Sequence, residues 1–244
     1  MISYHPDSRF LTDFVSGDLP VSQAICVSAH LEFCGKCRAR VHQIEALGGI
    51  LLSQLPSQAP DADSFDQLMS RIESEEETLS EGSARAPSTA PGSGVPAALA
   101  DVDWPRALGD WTGKYLENLQ WVQFGKDLRV APLPIDEDRR DFSIYDIRAG
   151  GKMPSHGHGG EEISVLLKGS YSDAEGKYTR GDFIVRNSGE NHQPTATQDS
   201  DCICLVSLER PVAPDRWFYR LANPLVQYRL NSARQRVRSR IDGL

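Results

Sequence analysis

The stretch His30-Leu-Glu-Phe-Cys34-Gly-Lys-Cys37 decides how the front of the chain folds. It contains one histidine and two cysteines in the order H-x3-C-x2-C. His30 and Cys34 lie four residues apart, so they share one helix face or flank a junction between two helices. A Cys-x2-Cys pair can wrap both thiolates around one tetrahedral Zn²⁺. These ligand types at this spacing predict a structural zinc site, and His5 is the best candidate for its fourth ligand.

Short helices are expected on both sides of this motif, over residues 1–80. Gly17 breaks a first apolar helical run, and Asp18-Leu-Pro20 is typical of the start of a second helix. The second helix would carry His30 at its carboxyl end, and a third would begin near Cys34. We expect the apolar positions of the third helix to face the core, namely Val41, Ile44, Leu47 and Leu51. Because such short helices bury little apolar surface, a zinc ion would contribute directly to the folding of this module.

A fourth helix is predicted to start at Ser64, where Ser64-Phe-Asp-Gln67 forms a capping box. Its apolar residues lie at helical spacing on one stripe: Phe65, Leu68, Met69 and Ile72. The opposite face is acidic, and residues 1–80 hold 12 acidic and 5 basic side chains. The helix either folds back onto its own bundle or docks on a partner that has an apolar groove with a basic rim.

The composition divides the chain into four segments, and the fold class predicted is α+β with more than one domain. Residues 1–80 form the zinc-binding helical domain, and residues 81–100, rich in Ser, Ala, Gly and Pro, predict a flexible linker. Residues 101–210 consist of short β-type runs separated by turns, which predict an antiparallel barrel or sandwich. Residues 211–244 form a basic C-terminal segment, expected to be a solvated tail unless it contacts the acidic front half.

A second candidate metal site lies in the β-rich segment. Its two stretches read Gly150-x5-His156-x-His158-x3-Glu162-x6-Gly169 and Gly181-x5-Asn187-x-Gly189-x2-His192. Two histidines separated by one residue point the same way on a strand, about 6.6 Å apart, which suits two ligands of one ion. The third histidine and the glutamate complete a set of three imidazoles and one carboxylate, which can hold Zn²⁺, Fe or Mn. Glu161 is an alternative carboxylate, but the spacing favours Glu162.

Two further cysteines, Cys202 and Cys204, lie on a predicted strand with both thiols on the same side. Their spacing is near the upper limit of disulfide geometry. They are either two small residues in a barrel wall or a pair of oxidant-sensitive thiols near a metal. Cys26 is expected to pack as a small apolar residue in the second helix.

Charge and hydropathy exclude some classes of protein. The net charge of −8 over 244 residues argues against direct nucleic-acid binding. No signal peptide is visible, and the longest apolar run, around Ile50-Leu-Leu52, is too short to span a bilayer. We therefore expect a cytoplasmic protein that does not bind membranes and keeps its cysteines reduced.

The two β-rich stretches resemble the signature motifs of the cupin superfamily, whose small β-barrels hold a metal ion. Two positions depart from that pattern, because Asn187 stands where Pro is usual and Ala196 where Asn is usual. An acidic zinc-binding module joined to such a barrel resembles the ChrR family of zinc-dependent anti-sigma factors, and this resemblance covers nearly the whole chain. It implies three sets of matched residues: His5, His30, Cys34 and Cys37 as the zinc site; His156, His158, Glu162 and His192 as the cupin metal site, for which Zn²⁺ is the favoured divalent ion; and Cys202 and Cys204 as a C-terminal cysteine pair.

The resemblance also implies a partner. The helical domain would bind an extracytoplasmic-function sigma factor and keep it from core RNA polymerase. The cupin would act as the sensor, with singlet oxygen or a related oxidant as the signal. We therefore expect a regulator and not an enzyme. The alternatives are a metal-dependent, dioxygenase-like cupin enzyme with an accessory zinc domain, and a ligand-binding regulator that does not contact a sigma factor.

Overall fold

The computed structural model describes residues 2–61, 63–81, 99, 102, 104–108, 116, 118–135, 140–210, 213–214 and 217–241. The predicted linker, residues 81–100, lies outside the described residues except for Glu81 and Leu99. The helices are Ser8–Ser16 (α1), Val21–Phe33 (α2), Gly35–Ser53 (α3), Ser64–Glu81 (α4) and Trp217–Ile241 (α5), with a short 3-10 turn at Arg106–Leu108. The strands are Val122–Phe124 (β1), Leu128–Pro132 (β2), Asp141–Ile147 (β3), His156–Gly157 (β4), Glu162–Lys168 (β5), Ser170–Ser172 (β6), Lys177–Thr179 (β7), Phe183–Arg186 (β8), Asn191–His192 (β9), Thr195–Ala196 (β10), Cys202–Leu208 (β11) and Ala213–Pro214 (β12).

Local sequence fixes the ends of the first three helices. The Asp7 carboxylate caps α1 by accepting the Phe10 N–H at 3.0 Å, and Gly17 ends the helix with a φ of 79°. Cys34 adopts an extended conformation between α2 and α3, and its sulfur accepts the Cys37 N–H at 3.4 Å. The helix junction predicted at Cys34 is therefore present, and it presents both cysteines to one side.

Antiparallel sheets form the predicted barrel. The strand order of the largest sheet is β1-β2-β3-β11-β5-β8, and two smaller sheets run β10-β6-β7 and β12-β4-β9. Alternate side chains of β5 and β11 point to opposite faces of the large sheet. Leu166, Cys204 and Val206 join the apolar cluster enclosed between the sheets. The α+β fold class with a helical front and an antiparallel cupin-like barrel is confirmed.

The helical module covers the outer face of the large sheet. Val27 and Ala29 of α2, both fully buried, belong to the same apolar cluster as Val165 and Leu205 of the sheet. In addition, the ring of Phe10 lies edge-on to Phe183, with ring centroids 5.5 Å apart. Each Val or Phe side chain buried in this way stabilises the structure by about 1.5–3 kcal/mol. The helices and the barrel therefore share one continuous core.

The far half of α3 is exposed, so the prediction that Leu47 and Leu51 face the core is wrong. Val41 is buried, but Leu47 is 56% exposed and Leu51 58% exposed. The α4 stripe is also exposed, at 68% for Phe65 and 52% for Leu68. Helical spacing of apolar residues marks a face that needs a partner, and within the described residues nothing covers these two faces.

The basic C-terminal segment is a helix, which corrects the expectation of a solvated tail. Ala233 and Val237 of α5 are fully buried. Arg234 forms an ion pair with Asp141 at the start of β3, with Nη2 2.5 Å from Oδ1. The alternating arginines of this segment, Arg234, Arg236, Arg238 and Arg240, follow a helical path, and burial of Ala233 and Val237 fixes the helix on the barrel. Among the helices that the structure describes, none is both long and apolar enough to cross a membrane.

Candidate metal centres

The structure brings His5, His30, Cys34 and Cys37 together, with one ligand atom of each within 4.8 Å of the others. His5 Nδ1 lies 3.4 Å from Cys34 Sγ and 3.5 Å from Cys37 Sγ. A tetrahedral Zn²⁺ with Zn–S of about 2.3 Å and Zn–N of about 2.0–2.1 Å would separate nitrogen from sulfur by about 3.6 Å. The donor types and the spacing therefore fit zinc.

His30 has one ring nitrogen committed and one free. Its Nδ1 donates to the Gly181 carbonyl at 2.7 Å, so the tautomer leaves a lone pair on Nε2. That Nε2 is buried and has no hydrogen-bond partner among the described residues. Burial lowers the pKa of His30 to about 4, so the ring is neutral at pH 7. A buried nitrogen with an unused lone pair is what a metal ligand requires.

The Cys37 thiol needs a cation to ionise. Burial, followed by the hydrogen bond with Cys34, raises the pKa of Cys37 to about 12. Without a metal the thiol would stay protonated at neutral pH, whereas zinc binds thiolates and displaces the proton. The binding of zinc at this site should therefore release protons.

The second cluster contains His156, His158, Glu162 and His192, all buried and with ligand atoms within 4.8 Å of one another. The pairing of β4 with β9 places His156 directly opposite His192. Glu162 starts β5, opposite Leu208 of β11. All four side chains project into the space between the sheets.

The ring nitrogens of His156 and His192 are arranged so that a cation between them would be stabilising. His156 Nδ1 donates to the Pro154 carbonyl at 2.8 Å. His192 Nδ1 lies 3.3 Å from Asp173 Oδ2 and 3.5 Å from Arg186 Nε, and we assign its proton to Nδ1 because the Asp173 carboxylate is the closer partner and can only accept. Both Nε2 atoms then carry lone pairs, yet they lie only 3.0 Å apart. Two lone pairs facing each other at this distance repel unless a cation lies between them.

The surroundings keep His158 and His192 neutral and orient the Glu162 carboxylate. Burial lowers the pKa of His158 to about 4, and burial with the nearby His156 and Arg186 lowers the pKa of His192 to about 4. Both ring nitrogens of His158 are buried without a hydrogen-bond partner in the part of the chain that the structure describes. Glu162 Oε1 accepts the Ser164 hydroxyl at 3.0 Å. Three imidazoles and one oriented carboxylate are suited to a divalent metal.

Asp173 and Arg186 are functional residues that the sequence did not indicate. Arg186 donates to Asp173 at 2.8 Å and to the Tyr178 hydroxyl at 2.6 Å, and it also pairs with Glu175. Burial alone would raise the pKa of Asp173, but hydrogen bonds from the Glu175 N–H and from Arg186 hold it below its usual value. An ionised Asp173 is thus kept against His192, where it orients the ring. Asp173 and Arg186 are not ligand positions of the two metal-binding stretches, so no local sequence pattern indicated them.

Glu161 and Glu162 point to opposite faces of the large sheet, as adjacent strand residues do. Glu162 joins the metal cluster, whereas Glu161 Oε1 accepts from Gln23 Nε2 of α2 at 2.7 Å. Glu161 also lies 3.5 Å from Arg140 Nη1 and 3.4 Å from Arg9 Nη2. It is therefore a contact between barrel and helices and not an alternative ligand.

Cys202 and Cys204 lie in the barrel wall with their sulfurs 3.7 Å apart, and both are buried free thiols. The hydrogen bond with Cys202, and then burial, raises the pKa of Cys204 well above its usual value. The thiols belong to the cluster between the sheets, as Leu166 does. The sequence prediction that they share one side is confirmed by this geometry.

Comparison with known proteins follows the same division of the chain. Residues 114–211 match the family model of the ChrR cupin-like domain. Over 223 residues the chain is 28% identical to the anti-sigma-E factor ChrR of Cereibacter sphaeroides, a match that covers 91% of this chain and 97% of that protein.

The likeness extends to three dimensions. The chain superposes with a TM-score of 0.68 and 25% identity on a chain of the crystal structure of Rhodobacter sphaeroides SigE in complex with the anti-sigma ChrR, covering 85% of this chain and 100% of that chain. This match includes helices as well as the ChrR cupin-like domain, since the domain alone is much shorter. The resemblance drawn from the two motifs is confirmed.

Proposed function

We propose that this protein is an anti-sigma factor whose helical module binds an extracytoplasmic-function sigma factor and keeps it from core RNA polymerase. The observation that carries this proposal is the match to the anti-sigma-E factor ChrR over 91% of the chain. A cupin enzyme with an accessory zinc domain would not account for a match that includes the helices. The proposal places the protein in the cytoplasm, where core polymerase acts.

The exposed faces of α3 and α4 supply the surface for sigma. On α3 the exposed apolar residues are Leu47, Ile50, Leu51 and Leu52, and on α4 they are Phe65, Leu68, Met69 and Ile72. Sigma factors bind polymerase and DNA through apolar and basic surfaces, which an acidic module with apolar stripes complements. Residues 1–80 carry 12 acidic against 5 basic side chains, so opposite charge would steer the encounter. The same charge explains why direct binding to nucleic acid is not expected.

The two clusters would hold two metal ions with different tasks. Two thiolates and two imidazoles suit Zn²⁺ in a closed structural site, which would be His5, His30, Cys34 and Cys37. The cupin cluster would hold a second divalent metal, for which we favour Zn²⁺ because all four ligands fit it. Zinc has no redox chemistry, so the oxidisable groups would then be the ligands or the Cys202 and Cys204 thiols.

The cupin would act as the sensor. An oxidant such as singlet oxygen would modify the cluster between the sheets. This modification would alter the packing of α2 against the outer face of the large sheet. Release of sigma requires that the oxidised state bind it less tightly than the reduced state. The shared core of helices and sheet is the route by which that difference would reach the helical module.

Co-expression with candidate sigma factors tests the proposal. We expect an affinity-tagged full-length chain to retain one extracytoplasmic-function sigma factor through purification and to release it after oxidant treatment. A matched variant, Leu51→Asp, should lose the partner while keeping the fold, because Leu51 is 58% exposed. If no candidate sigma factor is retained under reducing conditions, the function proposed here is wrong.

A further inference from the structure

A turn of the cupin contacts His30 of the N-terminal zinc cluster and the segment that immediately precedes His5. The contacting residues, 181–183, are the end of the turn between β7 and β8 and the first residue of β8. Gly181 and His30 are 151 positions apart in the sequence. The turn reaches His30 directly and reaches His5 through the segment that precedes it. The cluster is thus built partly by the barrel.

The first contact orients His30. The Gly181 carbonyl accepts the Nδ1 proton at 2.7 Å, which aims Nε2 at the two cysteines. Gly181 has a φ of +89°, and a Cβ there would come within 2.8 Å of Ile2 Cδ1 and 2.9 Å of Phe33 Cβ. Only glycine allows the turn to approach the N-terminal segment and the end of α2 so closely.

The second contact fixes the segment that carries His5. Asp182, which is 1% exposed, accepts the Ser3 N–H at 2.7 Å and the Tyr4 N–H at 3.0 Å through Oδ1. The Phe183 N–H donates to the Tyr4 carbonyl at 3.1 Å. Three hydrogen bonds therefore hold the two residues immediately before His5. An N-terminal segment without such contacts would be free to move.

We infer that residues 181–183 of the cupin are positioning residues of the N-terminal zinc site, so that zinc is held tightly only while the helical module is docked on the barrel. Contacts that orient metal-ligating side chains change metal affinity by about 10- to 100-fold when removed. By thermodynamic reciprocity, docking strengthens zinc binding by the same factor as zinc strengthens docking. This coupling concerns metal affinity and does not depend on whether the partner is a sigma factor.

The test measures the affinity of the full-length protein for Co²⁺, followed by displacement with Zn²⁺. Thiolate-to-cobalt charge-transfer absorption reports only the cluster that contains Cys34 and Cys37, because the described cupin cluster has no cysteine. Ser3→Pro removes the N–H that donates to Asp182, whereas Ser3→Ala keeps it, so the two variants form a matched pair. We expect Ser3→Pro to weaken cobalt and zinc binding at least tenfold and Ser3→Ala to leave both unchanged.

Asp182→Ala removes, from the barrel side, the acceptor of both the Ser3 and the Tyr4 N–H groups. Thr179→Val is its control, because it removes only the hydroxyl bond to Asp182 Oδ2 within the turn, at 3.2 Å. If both Ser3→Pro and Asp182→Ala act through one contact, the double variant should lose no more affinity than the stronger single variant. Should Asp182→Ala fail to fold, Ser3→Pro alone decides, since it leaves the barrel sequence intact. Wild-type cobalt affinity in Ser3→Pro would overturn the inference.

Discussion

Replacing Glu161 with alanine should loosen the helical module from the barrel without disturbing the cupin cluster. The Glu161 carboxylate accepts from Gln23 at 2.7 Å and lies 3.5 Å from Arg140, whose side chain is only 7% exposed. A hydrogen bond to a charged group contributes about 1.5–3 kcal/mol. Arg9 is 65% exposed, so its ion pair adds only about 0–1 kcal/mol. We expect the free energy of docking to fall by about 2–3 kcal/mol, which raises the opening equilibrium about 30- to 140-fold.

Native-state hydrogen exchange in the full-length protein measures this change. The amides of α2 should exchange about 30- to 140-fold faster in Glu161→Ala, because local opening exposes them. The metal content of the cupin should not change, since Glu162 faces the other side of the sheet. Glu45→Ala is the control, because Glu45 is 52% exposed and pairs with His42 in a surface contact. Equal protection of α2 in Glu161→Ala and wild type would refute the idea that these contacts hold the module.

Three further perturbations address the metal sites and the docking faces. Cys34→Ser should lose zinc and make residues 2–53 sensitive to protease, because the binding energy of a structural zinc is also folding energy; Cys26→Ala, which changes a buried cysteine outside the cluster, should keep its zinc by metal analysis. Phe65→Asp should lower the capture of sigma at least about tenfold. Its thermal midpoint should not change, because Phe65 is 68% exposed. The control variant Gln67→Asp, on the same helix, should capture sigma as wild type does. Alanine at His156, His158, Glu162 or His192 should leave sigma-dependent transcription silent but abolish its induction by oxidant, whereas His42→Ala should respond as wild type; full induction in all four ligand variants would show that the cupin metal is not the sensor.

Most of the metal ligands could be predicted because they lie within a few residues of one another in the sequence. H-x3-C-x2-C places its three ligands at a helix junction, and His-x-His places two ligands on one side of a strand. Each motif fixes its geometry within a few residues, so no long-range information is needed. His5 and His192 lie outside these short motifs, and donor type together with the resemblance to known motifs indicated them.

The exposure of the α3 face could not be predicted, because a helical stripe has the same spacing whether it meets a core or a partner. Leu47 and Leu51 were therefore expected to be buried, and they are exposed. The α5 helix was missed because alternating arginines dominate its composition, while the burial that anchors it comes from Ala233 and Val237. The contacts of Glu161 and Asp182 with the helical module join residues more than 130 positions apart, and no local pattern encodes such a distance.

The function proposed for this chain is to withhold a sigma factor from core RNA polymerase. Transcription in a purified system measures it directly, with core polymerase, the sigma factor retained in co-expression and a promoter that this sigma recognises. We predict that equimolar, reduced, zinc-loaded protein suppresses the transcript and that the Phe65→Asp variant does not. If sigma is first incubated with excess core polymerase, the transcript should be preserved. An undiminished transcript in the presence of excess wild-type protein would show that the chain does not keep sigma from core polymerase.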